Sequence, residues 1–174
     1  MTVNHLVLVG GGHSNVLLMH KWLMNPKLMP EIPISIISRD SHLLYSSMYP
    51  SVVAKSISLS KSLIDINSLA NSARISFIKE EVKNIDFHKN QIFTKDRPII
   101  NFSKLVLNCG VDTKVSDDFE ELVKRKIAFP IKPFFESYKN IQIEDNNNSK
   151  AALPFIIIGS GLAAIEMALA LRKR

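Results

Sequence analysis

The residues with the clearest chemical use in this chain are glycines. At positions 5–16, HLVLVGGGHSNV, an apolar run enters Gly10, Gly11 and Gly12, and LPFIIIGSGLAAIEMALALRKR repeats that order with Gly159, Ser160 and Gly161. Glycine takes backbone angles other residues avoid and lets the main chain approach a ligand, while a helix start offers free N–H groups and partial positive charge. A glycine turn between a strand and a helix therefore suits a pyrophosphate. The dinucleotide fingerprint asks for G-x-G-x-x-G in that setting. Gly10 and Gly12 fill the first two places of the first turn, with Asn15 in the third; Gly159, Gly161 and Ala164 fit the second turn, followed by Glu166. The plain alternative is a tight corner without a ligand, which two such turns in one chain make harder to hold.

An acidic residue that meets the ribose is expected at the end of the next strand, roughly 20 residues on. That strand ends Ser38-Arg39-Asp40. Either Ser38 makes the contact or Asp40 supplies it from slightly further out; Arg39 suits the adenine or a phosphate.

The elements that must position these residues follow from apolar spacing. Residues 5–9 read as a strand, 14–24 as a helix, and IPISIISRD as a second buried strand with β-branched Ile34, Ile36 and Ile37. The first fifty residues thus form a βαβ unit. YSSMYPSVVAK and SKSLIDINSLANSA read as short helical pieces, and RISFIKEEVKNIDFHKNQIFT as three close strands in a small meander. FSKLVLNCG returns to a buried strand, and SDDFEELVKRK is a helix with acidic residues in its first turn. EDNNNSK is expected to be an exposed linker, after which Phe155–Ile158 form a strand before the second turn. The predicted fold is α/β: a Rossmann-like domain over residues 1–145 and, over 151–174, the first strand, turn and helix of a second one.

With 46% apolar and 22% charged residues the chain reads as globular, and no apolar run reaches the ~20 residues of a membrane span. No cleavable signal pattern precedes the first strand, and Cys109 is the only cysteine, so a cytoplasmic setting is expected. The net charge of +6 is diffuse and its clusters lack interleaved aromatics, which argues against nucleic acid as a partner. One cysteine excludes a redox-active pair, and Cys109 is expected to be a small buried residue at a strand end. His13 and His42 read as hydrogen-bonding spacers, with no metal-ligand cluster around them. Ser14 and Ser160 lack a hydrolase elbow, and Trp22 reads as packing.

The order glycine turn, SRD, YSSMYP, meander, LVLNCG and IIIGSGLAAIE resembles the FAD-dependent pyridine nucleotide oxidoreductases with two dinucleotide-binding domains. Within them, VLVGGGHSNV followed by ISRDSHLLYSSMYPSVVA looks most like the type II NADH dehydrogenase-like domain of the kind fused to selenide, water dikinase. The resemblance implies that FAD lies on Gly10, Gly12, His13, Ser14 and Asn15 through its pyrophosphate and on Ser38, Arg39 and Asp40 through its ribose and adenine. It further implies that Tyr45 to Pro50 lie toward the flavin, that Val82 meets adenine through its backbone, and that Cys109 and Gly110 lie near the cofactor. Gly159, Gly161, Ala164 and Glu166 would take NAD(P)H. The implied activity is hydride transfer from NAD(P)H to flavin and on to an acceptor. The catalytic residues are not specified.

The family's return to the FAD domain, with its Gly-Asp element, has no counterpart in these residues, so the chain reads as a truncated form. The apolar face around Ile165, Met167, Leu169 and Leu171 is then expected to lack its usual partner and to be covered by this domain, a second copy or a partner chain. A non-catalytic nucleotide-binding or interaction module derived from the same fold is the alternative reading.

Overall fold

A computed structural model describes residues 4–111, 116–147 and 155–174. In chain order the strands are β1 (Leu6–Val9), β2 (Ile34–Ser38), β3 (His42–Leu44), β4 (Leu63–Asp65), β5 (Ser76–Lys79), β6 (Val82–Asp86), β7 (Gln91–Thr94), β8 (Ile100–Asn101) and β9 (Lys104–Leu107). The helices are α1 (His13–Met24), α2 (Tyr49–Val53), α3 (Ile66–Ser72), α4 (Asp117–Lys124), α5 (Phe134–Asn147) and α6 (Leu162–Lys173). The chain divides into two compact units, residues 1–43 with 64–110 and residues 44–63 with 111–174.

The first unit is organised by a four-stranded sheet in the order β5-β2-β1-β9, with every neighbouring pair parallel. Strands β1 and β2 are short apolar runs because both faces of a parallel sheet are covered. Alternation divides their side chains. Leu6 and Leu8 join Ile34 and Ile36 against Val16, Met19 and Trp22 of α1 and Ile66 and Ala70 of α3. Val7, Val9 and Ile37 lie in a second cluster with Ile92, Phe102 and, at its edge, Ile85 and Ile100. The βαβ start and the packing role of Trp22 are therefore as expected.

The meander is built differently from the sequence expectation. The first of its three predicted strands, β5, joins the parallel sheet beside β2, and the antiparallel sheet is β6-β7-β8. Half-apolar strands of this length fit either sheet, and tertiary pairing decides between them.

The second unit packs α2, α5 and α6 around Tyr49. Its core holds Leu44, Tyr49, Val53, Ile141, Met167 and Ala170. The Tyr49 hydroxyl donates to the buried Ser137 Oγ at 2.7 Å, and the ring lies 4.7 Å from that of Phe134, centroid to centroid. Arg174 Nη1 donates to the Val53 carbonyl at 2.6 Å, satisfying an acceptor at the end of α2. Helix α5 corrects the expected linker, because residues 144–147 complete its last turn; residues 148–150 lie outside the described residues.

Two further expectations change here. Phe155–Ile158 are exposed and form no strand, since a strand needs a neighbour and the described residues provide none for this run. Helix α6 forms as expected, and its apolar face is partly covered: Met167 and Ala170 are buried and Leu171 packs beside them, while Ile165 and Leu169 stay exposed.

Burial pushes the Tyr49 phenol up to about 12, against a smaller opposing effect of its bond to Ser137. The neutral phenol is thus favoured by folding. An unfolded chain would lose this proton near pH 10, so stability falls as pH rises from about 10 to about 12, by on the order of 2–3 kcal/mol. Tyr49→Phe should remove that alkaline loss while costing about 1–2 kcal/mol at pH 7 through the unpaired Ser137 hydroxyl. Denaturant unfolding at pH 7 and pH 11 measures both effects.

Candidate functional site

In the sheet order β5-β2-β1-β9 the chain leaves β1 toward β2 on one side and later places β9 on the other. The carboxyl ends of β1 and β9 therefore flank a topological switch point, where open parallel sheets hold ligands. Gly10 follows β1 there, Asn108, Cys109 and Gly110 follow β9, and Ser38 ends β2.

The turn after β1 is held from both sides. Gly10 N–H donates to the Ile37 carbonyl at 2.8 Å, and Gly12 N–H donates to the Asn108 carbonyl at 3.2 Å. Gly10 has φ of +92°, and a Cβ on it would overlap the backbone of Asn108 and Cys109. Gly12 has an ordinary φ of −71°, so its requirement is purely one of space. A Cβ there would overlap the Asn108 side-chain oxygen and main-chain carbonyl. Gly11 is confined in turn by Ile66 and Ser38.

Asn15, in the third fingerprint place, is fully buried. Its Nδ2 donates to the carbonyls of Gly10 at 2.8 Å and Val9 at 3.3 Å, tying the helix to the turn it follows. Its Oδ1 is buried without a hydrogen-bond partner among the described residues. His13 and Ser14 are exposed at the start of α1, whose first turn carries no acidic residue.

Asn108 is the residue that the sequence reading passed over. Its Oδ1 accepts from Ser14 N–H at 3.0 Å and from Asn15 N–H at 3.4 Å, capping α1 from 94 positions away. Gly12, at the N-cap, has no side chain to do this. The available signal was a polar residue closing the apolar run LVL.

At the end of β2, Ser38 is buried and its Oγ donates to the Asp40 carbonyl at 2.9 Å. Arg39 and Asp40 are exposed and form an ion pair at 3.3 Å. Val82 opens β6, half-buried at the edge of the second cluster, and the Glu80 N–H donates to the Ser38 carbonyl at 3.1 Å. The neighbouring Glu81 carboxyl is held below its usual range by the hydrogen bond and charge of Lys83. Cys109 is exposed, contrary to the expected burial, because it lies past the last paired residue of β9; its thiol makes a 3.8 Å contact to the Val9 carbonyl. Gly110 has φ of +80°, and a Cβ on it would meet no atom within 4 Å among the described residues.

The structure thus brings Gly10, Gly12, His13, Ser14, Asn15, Ser38, Arg39, Asp40, Val82, Cys109 and Gly110 into the first unit. Tyr45, Pro50, Gly159, Gly161, Ala164 and Glu166 belong to the second. The second glycine turn differs from the first: Gly159 keeps a glycine-favouring φ of +137°, yet among the described residues a Cβ there would meet only Ala164 at 3.8 Å, and one on Gly161 would meet nothing within 4 Å. Among the described residues, no group of three or more His, Cys, Asp or Glu could hold a metal, and no helix is long and apolar enough to cross a membrane.

A parallel α/β sheet with a glycine turn at its switch point defines a Rossmann-like fold, and comparison with known proteins agrees on that fold. The chain is similar to the NADH dehydrogenase-like protein YutJ of Bacillus subtilis, 24% identical over 168 residues, covering 97% of this chain and 45% of that protein. It is similar to the type II NADH:quinone oxidoreductase of Staphylococcus saprophyticus, 23% identical over 171 residues, covering 92% of this chain and 41% of that one. The crystal structure of NADH:rubredoxin oxidoreductase from Clostridium acetobutylicum superposes with a TM-score of 0.71 at 24% identity, covering 99% of this chain and 42% of that chain. No protein-family profile matches the sequence. The chain spans less than half the length of these curated relatives.

The two turns should respond differently to one added methyl group. Gly12→Ala forces a shift against the Asn108 backbone and should cost about 3 kcal/mol or more. Gly161→Ala, at φ of −75° and with no clashing atom among the described residues, should cost only about 1 kcal/mol, the amount by which Ala is the poorer N-cap. Urea unfolding of the two variants checks this.

Proposed function

We propose that this chain is the nucleotide-binding part of a flavin-dependent NAD(P)H oxidoreductase of the NADH dehydrogenase-like kind, holding the ADP portion of FAD at the first glycine turn. The observation that carries the reading is the convergence of the Gly10–Gly12 turn, the acid-free start of α1 and the Cys109–Gly110 bend on the switch point between β1 and β9. Among the described residues no atom lies within 4 Å of where a Cβ on Gly110 would sit, which fits the close approach of a ligand to main chain.

In this reading Gly10, Gly12, His13, Ser14 and Asn15 serve the pyrophosphate, Ser38, Arg39 and Asp40 the ribose and adenine, and Val82 the adenine. Tyr45 and Pro50 serve the flavin end, with Cys109 and Gly110 beside the cofactor. Bound flavin would supply the two-electron acceptor for a hydride from NAD(P)H. Residues 1–145 act as the FAD part and residues 151–174 as the opening of an NAD(P)H part, in which Gly159, Gly161, Ala164 and Glu166 receive the dinucleotide once Phe155–Ile158 gain a strand partner. A second copy or a partner chain would cover Ile165 and Leu169. The setting proposed for this chemistry is the cytoplasm.

The exposure of Phe155–Ile158 favours a second reading for the isolated chain, nucleotide binding without turnover. The visible spectrum of the purified chain, taken with FAD and then with NADH under anaerobic conditions, separates the two. A retained flavin band that bleaches with NADH is expected for the oxidoreductase, and a retained band that NADH leaves unchanged for the binding module. Loss of flavin with ADP binding kept favours the binding module, and failure to bind either counts against both. Sedimentation over a concentration series tests the cover, with a dimer or larger species expected at high concentration.

A further inference from the structure

We propose that Asn108 is a positioning residue that sets how tightly the first turn takes a diphosphate, because its side-chain oxygen holds two α1 N–H groups that a phosphate oxygen would use. The inference deepens the nucleotide reading given above and rests on it. Helix α1 begins after a glycine, so its first N–H groups receive no cap from their own segment. Asn108 Oδ1 takes the Ser14 and Asn15 N–H groups at 3.0 and 3.4 Å. The same residue is anchored through its main chain, its N–H donating to Val9 at 2.8 Å and its carbonyl accepting from Gly12 at 3.2 Å. The amide is thus tethered beside the turn and moves away from the helix start only by rotating its own side chain.

A phosphate carries charge where the amide carries a dipole, and charge-assisted hydrogen bonds are about twice as strong as neutral ones. A diphosphate therefore displaces the amide, at the cost of the cap it breaks. Caps of this kind correspond to about a five- to tenfold change in an equilibrium constant. Asn108 thereby keeps the turn ordered without ligand and weakens the hold on ligand by that factor. No counterpart is seen before α6, whose start has no side-chain cap and where a Cβ on Gly161 would meet no atom within 4 Å among the described residues.

The test compares wild type, Asn108→Ala and Asn108→Asp by calorimetric titration with ADP and with inorganic pyrophosphate, and by amide hydrogen exchange without ligand. In Asn108→Ala the Ser14 and Asn15 amides should exchange faster, and both ligands should bind about five- to tenfold more tightly than to wild type. In Asn108→Asp a carboxylate takes the same two N–H groups, so exchange should stay slow, while its negative charge should weaken both ligands by about tenfold or more. The Asp variant keeps the cap, and ADP affinity in it equal to wild type overturns the proposal even should the Ala variant fail to fold. Equal affinity in the folded variants and wild type, or weaker binding by Asn108→Ala, overturns the proposal and leaves the nucleotide reading standing. Absence of binding by all the proteins at millimolar ADP and pyrophosphate overturns the nucleotide reading and this proposal together.

Discussion

The first unit depends on how closely the end of β9 lies against the turn after β1. Asn108 donates to Val9 and accepts from Gly12, so one residue continues the parallel ladder past its last strand pair and closes the turn. Side chains at Gly10 and Gly12 would occupy the space of that contact. The glycine pattern is therefore demanded here by the protein's own packing before any ligand arrives. Glycines of this kind record a close approach, and the approaching group can be main chain as well as phosphate.

From this contact the rest of the unit is ordered. With β9 on one side of β1 and β2 on the other, the carboxyl ends of the strands open onto a single edge. That edge receives the start of α1, Ser38 and the Cys109–Gly110 bend. The α-helices α1 and α3 cover one alternation of β1 and β2, and the β6-β7-β8 meander covers the other. An apolar run with both faces covered is stable as a strand only when its buried main-chain groups also find hydrogen-bond partners.

The second unit shows the same rule in reverse. Phe155–Ile158 matches β1 in apolar character, and the glycines and helix that follow match those after β1, yet among the described residues the run has no strand beside it and it stays exposed. Helix α6 still forms, because its hydrogen bonds are internal to the segment. Its burial is set by what is near: Met167 and Ala170 enter the core around Tyr49 and Val53, whereas Ile165 and Leu169 face outward.

The sequence by itself determined the βαβ opening, the two glycine turns, the helices that follow them and the placement of Ser38–Asp40 at a strand end. These rest on apolar period and backbone freedom, which act over a few residues. Only the tertiary structure decided that β5 joins the parallel sheet, that EDNN finishes a helix, that Phe155–Ile158 finds no strand partner among the described residues and that Cys109 is exposed. It also revealed Asn108, whose role arises from hydrogen bonds to residues 93 and 94 positions earlier. Strand pairing and distant caps are contacts between segments far apart in the chain, and local pattern carries no record of which segments will meet.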